Sequence, residues 1–553
     1  MNKLYLPRKT SVFIVIGLCV FSASIPSTQS TPTWNSSYND SSIGLPAAIT
    51  VAQAKLRSLD RTDVTIKDSI AINNDKEVLL CYMFNLNPEG YLIVSGYTNL
   101  PPVIAYSFSS NSHYDNTNYN VLYEMLKHDI SLRLQNIPYL PAITIERRHQ
   151  AWDVLLNDKP QQNFDTGFEQ WPPEGTTATG GWLETNWEQT APYNNFCPLD
   201  KADGGRSVAG CPAVAMAMIL NYHQTTNNVM FNDSDDYHHT YGGNNYWIDN
   251  DHESYDFPSY PELNGYLTTL VSHYQNHTPV TDTDAAALTF ACGVAARQVY
   301  GAQGSGTFGV NQAYTAYMKY HCSTCELLKP PETNIYGRLA KNMIDALPAH
   351  LAVVDEGWTM GHNLVADGYN TDDFYHLNFG WGGTYNGWYL LPDEIPYGLT
   401  VLEGVIVDII DDQAGPRVRC NGTLQFTNIT PGATLTGSFT VENAGVANSS
   451  LNWEITSNPD WGTWTFSPSS GTALTPEQGP MNINVSVVAP SRKNKDYSGY
   501  IKVANTENPD DCYIIQISLT TPYRPHTPLL DILQALMQRF PHAFPLLRYV
   551  LNH

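Results

Sequence analysis

The stretch that most constrains this chain is Gly204-Gly205-Arg206-Ser207-Val208-Ala209-Gly210-Cys211-Pro212-Ala213-Val214-Ala215-Met216-Ala217-Met218-Ile219-Leu220. A glycine-rich loop runs into one cysteine, and a helix pattern begins at once. Ala213, Ala215 and Ala217 are strong helix formers, and Pro212 suits the first helical turn, where its missing N–H costs nothing. Cys211 therefore stands at a helix N-terminus. The partial positive charge of the helix dipole favours a thiolate there, and the thiolate is the nucleophilic form. Gly210 lets the backbone approach a substrate closely.

A thiolate needs a partner that can take its proton. Far downstream the chain offers Met360-Gly361-His362-Asn363-Leu364-Val365-Ala366-Asp367-Gly368-Tyr369, followed by Phe374-Tyr375-His376-Leu377-Asn378-Phe379-Gly380-Trp381-Gly382-Gly383. Cysteine early, histidine late and a polar orienting residue on the next strand is the chain order of papain-like hydrolysis. Upstream, Trp187-Glu188-Gln189-Thr190-Ala191-Pro192-Tyr193-Asn194 supplies Gln189, whose amide N–H can face an oxyanion.

Together these stretches resemble the streptopain family of secreted cysteine peptidases, over roughly Gly181 to Asp412. The shared marks are Trp-x-Gln-x-x-Pro-Tyr-Asn, Gly-Cys at a helix start, Gly-His before a strand, and Asn-aromatic-Gly-Trp-Gly-Gly. The segments Tyr82–Asn85, Gly90–Gly96 and Ile104–Ser107 are similar to the family's propeptide. The resemblance implies a zymogen with a papain-like catalytic domain and no cofactor or metal. It implies Cys211 as nucleophile, His362 as base, Gln189 with the Cys211 N–H as oxyanion donors, Asn378 as the orienter of His362, and Trp381 as a shield against water. Three positions depart from the family pattern. Phe379 stands where Trp is common, and Asn363 and Pro212 follow the histidine and cysteine in place of small or β-branched residues. These departures bear on efficiency and specificity rather than on the class of reaction.

At 553 residues the chain exceeds one hydrophobic core, and about 150 residues per domain suggests three or four units. With 29 basic and 53 acidic residues the net charge is −24, which disfavours nucleic acid or an anionic membrane as the main partner. Lys3, Arg8 and Lys9 precede the apolar run Val12 to Ala23, and small residues come after it, as in a secretory signal. The run is shorter than the roughly 20 residues of a membrane span. Secretion or display at the cell surface is expected. Of the nine cysteines, Cys19 lies in that run. Cys420 and Cys512 bracket the C-terminal β-rich region, where a disulfide is reasonable. Cys322 and Cys325 form a CxxC without the second pair a zinc ribbon needs, leaving a local disulfide or two buried thiols. Cys81, Cys197 and Cys292 read as small buried hydrophobes.

The expected organisation is a signal over 1–30, an α+β inhibitory propeptide over 31–159, a linker with the maturation site over 160–180, a papain-like catalytic domain over 181–412, an immunoglobulin-like β-sandwich over 413–522 and an amphipathic helical tail over 523–553. Helices are predicted over Pro46–Leu59, Val121–Leu134, Thr144–Leu156, Tyr260–Tyr274 and Asp284–Tyr300, with another closing at Asn342–Ala349. The acidic stretch Asn232–Asp256 reads as a loop with solvated His238 and His239; it lacks EF-hand spacing, so calcium binding there is a weak reading. Alternating strands over Thr434–Glu442, Leu451–Ile455, Met481–Val487, Tyr500–Val503 and Tyr513–Leu519 give the sandwich, a spacer or a module binding a surface or partner. The function expected is a secreted cysteine endopeptidase acting on protein or peptide substrates. The alternatives are a non-catalytic surface-binding protein on the same fold, or a related acyl transferase or amidase.

Overall fold

The computed structural model describes residues 41–521, apart from 75, 111–126, 128, 129, 132, 136, 141, 158–167, 333, 356, 359, 392–400, 411–414 and 494–495. The predicted signal, the C-terminal tail helix and most of the helix expected over Val121–Leu134 lie outside the described residues.

An almost uniformly apolar helix has no face to offer water, so it must lie inside. That is the position of α3 (Cys211–Tyr222), in which every residue from Cys211 to Leu220 is buried. It comes after α1 (Leu45–Ser58) and α2 (Ala142–Leu156) in the N-terminal part of the chain. Helices α4 (Tyr260–Gln275), α5 (Asp282–Ala295) and α6 (Val310–Lys319) share its core, through Leu263, Leu288, Phe290, Ala313 and Tyr317 among others. Its other side meets a sheet at Ala352, Val365 and Ile406. Burying Val214, Met216, Met218, Ile219 and Leu220 contributes roughly 1.5–3 kcal/mol for each side chain. Helices α4 and α5 start at capping boxes, Ser259 with Glu262 and Thr281 with Asp284. The predicted helix to Tyr300 stops at Ala295, because Arg297 turns to φ +48° and the Gln298 N–H reaches back to the Gly293 carbonyl.

The sheet contains β1 (Thr65–Asn73), β2 (Leu79–Asn87), β3 (Tyr91–Ser95), β4 (Val103–Ser107) and the short β5 (Gln170–Trp171). A separate hairpin, β6 (Tyr237–Tyr241) and β7 (Asn244–Ile248), occupies the acidic stretch expected to be a loop. The sheet continues with β8 (Glu326–Leu328), then, after helix α7 (Ile335–Ile344), β9 (Ala349–Val354), β10 (Gly361–Asn370), β11 (Phe374–Asn378), β12 (Gly387–Leu390) and β13 (Val401–Val407). Its order is β1-β2-β3-β4-β12-β11-β10-β9-β13-β8, with β5 added at β10. The N-terminal strands thus extend the sheet that carries His362, through the antiparallel pairs Tyr106 with Trp388 and Ala105 with Tyr389. That join is reinforced by Tyr106 stacked on Trp388 and by the Lys55–Asp372 ion pair at 3.1 Å.

Beyond it, two sheets face each other across one core. One holds β14 (Val418–Asn421), β16 (Thr434–Asn443), β20 (Met481–Val488) and β18 (Thr463–Ser467). The other holds β15 (Leu424–Phe426), β22 (Cys512–Thr520), β21 (Asp496–Asn505), β17 (Leu451–Ser457) and β19 (Ser470–Leu474). Alternating residues such as Phe439, Val441, Ile483, Val485, Ile501, Val503, Ile515 and Ile517 fill the space between them around Trp453. Cys420 and Cys512 are buried as free thiols, so the expected disulfide is not formed. Apolar surroundings push the Cys512 thiol up to about 11 and raise that of Cys420 well above its ordinary value. Cys322 and Cys325 are likewise two buried thiols. Among the described residues, no group of three or more His, Cys, Asp or Glu side chains could hold a metal ion. No described helix is long and apolar enough to cross a membrane.

The two-sheet unit packs on α7 through Tyr500, Ala504, Cys512 and Ile514, which share a core with Leu339, Met343 and Tyr375. An ion network closes the same junction. The buried Lys341 ammonium sits 2.8 Å from Asp345 and 2.7 Å from Asp511, and Arg417 also bonds Asp345. Removing the one cation shared by two buried carboxylates is costly, about 3–5 kcal/mol for a buried pair broken on one side. Lys341→Met should therefore lower the urea midpoint by an amount equivalent to about 3 kcal/mol, measured in a Cys211→Ala background. An unchanged midpoint would show that the network adds nothing to the junction.

Candidate active site

The loop leading into α3 is held from several sides. The Ala209 N–H donates to the Gln189 carbonyl at 2.8 Å and the Val208 N–H to Gly301 at 3.1 Å. Asn194 donates to the Ser207 carbonyl at 3.0 Å, and Gln298 Nε2 to the Ala209 carbonyl at 2.7 Å. Gly210 has φ +87°, and a Cβ added there would lie 2.7 Å from Gln298 Oε1, so glycine is required on both conformational and steric grounds. Cys211 then opens the helix with its side chain buried.

His362 comes from β10, opposite Val353 of β9. Its Nε2 lies 3.0 Å from the Phe379 carbonyl. A carbonyl only accepts, so Nε2 carries the proton and Nδ1 is left with its lone pair, the form a base requires. Stacking fixes the ring plane. Trp381 lies at 4.5 Å between centroids and 27°, and Phe379 at 6.1 Å and 3°. Asn363, the next residue, brings its backbone N–H to 3.4 Å from Cys211 Sγ, which places the sulfur against the histidine strand.

Asn378 stands differently from the sequence expectation. Its amide donates to the Thr185 carbonyl at 3.0 Å, and its Oδ1 accepts from the Gly380 N–H at 3.1 Å. The partner of His362 is the Phe379 carbonyl, between Asn378 and Gly380. A main-chain oxygen leaves no trace in residue type, which is why the side chain beside it draws attention in a sequence. Gln189 is buried, and neither atom of its amide head group has a hydrogen-bond partner among the described residues. An unpaired buried amide is costly, and it suits a donor whose acceptor arrives only with the reacting molecule.

Beside His362 and Asn363 opens a cleft of about 300 Å³, lined also by Thr307, Gly309, Val353, Met360 and Glu403. Phe308 and Trp358 stand on its rim, 64% and 61% exposed. The Gly301–Thr307 loop therefore touches both the loop before Cys211 and the cleft. Burial pushes the thiols of Cys197, Cys292, Cys322 and Cys325 up to about 12, which favours their protonated form. Gln298 is a supporting residue that the sequence does not mark, since it falls within the stretch that reads as a plain helix to Tyr300. His239 is not solvated as expected. It sits on the inward face of β6, and its Nε2 accepts from the Tyr300 N–H at 2.7 Å.

Residues 187–389 match the model of the Peptidase C10 family, and residues 44–130 match that of the Spi protease inhibitor, Inhibitor_I69. The chain is 23% identical over 318 residues to the thiol protease/hemagglutinin PrtT of Porphyromonas gingivalis, covering 57% of this chain and 34% of that protein, about a third of its length. It is 24% identical over 373 residues to streptopain of Streptococcus pyogenes, covering 64% of this chain and 85% of streptopain. A fragment of Prevotella intermedia prointerpain A aligns with 62% of this chain and 98% of its own length, at 19% identity and a TM-score of 0.39.

Two buried histidines give the folded chain an acid sensitivity of predictable sign. Burial lowers both His239 and His350 from the ordinary 6.5 to about 4. Between those values the unfolded chain binds protons that the folded chain refuses, so stability is full above about 6.5 and falls as pH drops toward 4. Each contributes roughly 3 kcal/mol to that loss at most. His239→Gln keeps an acceptor for Tyr300 and removes one titration. Urea midpoints of the Cys211→Ala protein at pH 7 and pH 5 should differ more than those of the same protein carrying His239→Gln. Equal differences would mean that His239 does not titrate in this way.

Proposed function

We propose that this chain, a cysteine peptidase of the streptopain-like family, is a secreted endopeptidase made as a zymogen that cuts peptide bonds through a thioester. The observation that carries the reading is the convergence on one sulfur: Cys211 at the start of a buried helix, the His362–Asn363 strand against it, and an unpartnered buried Gln189 amide on the segment that holds its loop. His362 Nδ1 takes the thiol proton, and the thiolate attacks the carbonyl carbon of the substrate. The negative oxygen accepts from Gln189 and the Cys211 N–H. The imidazolium returns its proton to the departing amine, and water, activated by the same ring, hydrolyses the thioester. Asn378 serves one step back, anchoring Thr185 and Gly380 so that the Phe379 carbonyl stays on His362 Nε2. Trp381 covers the ring against water.

The rest of the chain is proposed to serve this chemistry in order. Residues 1–30 direct export. Residues 31–159 form the inhibitory propeptide, supported by the match to a protease inhibitor and by the pairing of β4 with β12. Maturation falls in 160–180, where Pro173–Thr176 and Ala178 are exposed while Thr179 is buried, its hydroxyl on the Leu183 carbonyl at 2.6 Å. A chain can be cut in an exposed turn without loosening the anchored residues on its C-terminal side. The catalytic domain spans 181–412. Residues 413–522 form an immunoglobulin-like module able to bind a surface or partner, with the tail at 523–553.

The test is a maturation time course on the purified full chain and its Cys211→Ala variant. Wild type should lose an N-terminal fragment by cleavage within 160–180, and the variant should stay whole. The processed wild type should then degrade a denatured protein. If both chains stay whole, and wild type cut by an added protease still ignores that substrate, the peptidase reading is lost and a binding role on the same fold takes its place.

A further inference from the structure

Asn363 is one of the residues that departs from the family pattern, and its side chain is part of a chain of hydrogen bonds that ends on the nucleophile. Its Oδ1 lies 2.7 Å from His350 Nε2, and its Nδ2 lies 3.9 Å from Cys211 Sγ. The other nitrogen of His350, Nδ1, is 3.2 Å from the Tyr317 hydroxyl, and the Tyr317 ring meets the imidazole edge-on at 89°. Tyr317 and His350 are fully buried. The order of the elements produces this geometry. Ala352 of β9 faces Asn363 of β10, so His350, two residues back along β9, lies on the same face of the sheet as Asn363's cross-strand partner, and α6 lays Tyr317 over that face.

The polarity of the chain of bonds is set by which atoms can donate. An amide oxygen only accepts, so His350 Nε2 carries the proton and Nδ1 accepts from Tyr317. With Oδ1 on His350 Nε2, the NH2 group of the Asn363 amide is aimed at Sγ. The sulfur is then approached by two donors of one residue, the backbone N–H at 3.4 Å and the side-chain NH2. Donors to an anion favour the anion. The groups that face His350 are Tyr317, Asn363, Cys211 and His362; none is a carboxylate, and burial keeps His350 neutral above about pH 4. Such a neutral imidazole holds its orienting role across the working range of a cysteine nucleophile.

We propose that Tyr317, His350 and Asn363 form a positioning relay that locks an amide donor onto the Cys211 thiolate. This rests on the reading of Cys211 as the nucleophile. None of the three takes the proton of the reaction, which passes between Cys211 and His362. Their part is to set how readily Cys211 ionises and where the sulfur lies.

The test uses the full chain after processing, by itself or by an added protease, and follows alkylation of Cys211 by iodoacetamide against pH, with peptide mapping of the labelled site. Asn363→Ala should move the pH profile of the reaction upward by about one unit, a roughly tenfold slower reaction on the acid limb. His350→Phe, which fills the site but cannot hold Oδ1, should give the same displacement, and the double variant no more than either alone. His350→Gln, which keeps a donor for Asn363 and an acceptor for Tyr317, should restore most of the wild-type profile. A residue that merely filled space would show no such distinction between Phe and Gln. If His350→Phe does not fold, the partly exposed Asn363→Ala variant still decides. An Asn363→Ala profile that superimposes on wild type overturns the relay while leaving the nucleophile intact. Wild type that is not labelled at Cys211 in preference to its other cysteines overturns both.

Discussion

The structure depends on burying one helix that has no polar face. Because α3 is apolar on every side, it can exist only with helices on one flank and the sheet on the other, and that requirement brings its first residue to the strand that carries His362. Cys211 is thus carried to β10 by packing rather than by local attraction between the Cys211 and His362 side chains. The alanines of α3 and α5 let the two helices approach closely, and Ala352, Val365 and Ile406 supply the floor. The long separation in sequence between cysteine and histidine is bridged by this core.

A second constraint acts on the loop before the helix. The turn at Gly210 needs a positive φ and no side chain, and Gln298 closes over it from a segment that has already left α5. Gln298 accepts a hydrogen bond on its own carbonyl from Tyr237, on the hairpin formed by the acidic stretch. His239, two residues along the same strand, receives the Tyr300 N–H. The hairpin, the end of α5 and the loop before Cys211 are therefore one connected polar assembly inside an apolar shell. Each buried group left unpaired within it costs on the order of 1–3 kcal/mol. Among the described residues both amide atoms of Gln189 are unpaired, as are Gln298 Oε1 and His239 Nδ1, and an incoming carbonyl oxygen would supply an acceptor to the Gln189 amide.

Much of this was legible in the residues themselves. Cys211, His362, Gln189 and Trp381 are of residue types that suggest chemistry and sit in runs whose flanks are specific, and strong periodicity marked α1, α2, α4 and most strands of the C-terminal unit to within a few residues. The features that could not be read have a common cause. The oxygen that orients His362 belongs to the backbone of Phe379, and the roles of Gln298, His239 and His350 arise from long-range juxtaposition. The hairpin was hidden because its exposed residues include the polar His238, Thr240 and Asn245 and aspartates flank it on both sides, which resembles a loop when only composition is weighed. The pair Cys420 and Cys512 illustrates the converse. Bracketing a β-rich region suggested a bond, whereas Cys420 fills the core between the two sheets and Cys512 the junction with α7, each as a thiol.

The continuity of the large sheet links latency to the same geometry. Strand β12 lies between β4 of the N-terminal unit and β11, and β11 ends in the Asn378–Phe379 turn that presents the carbonyl to His362. Tyr91 of the N-terminal unit also donates to the carbonyls of Tyr385 and Asn386, and Asn386 Oδ1 in turn accepts from the Phe379 N–H at 3.0 Å. The peptide groups on either side of Phe379 are thus held on one side by the N-terminal unit and on the other by the histidine they orient. A segment paired this way can bias the position of the His362 ring without touching it, because the shared element is the short turn after β11. Inhibition and catalysis would then draw on one set of backbone hydrogen bonds, with the propeptide adding partners to a framework that the catalytic strands already define.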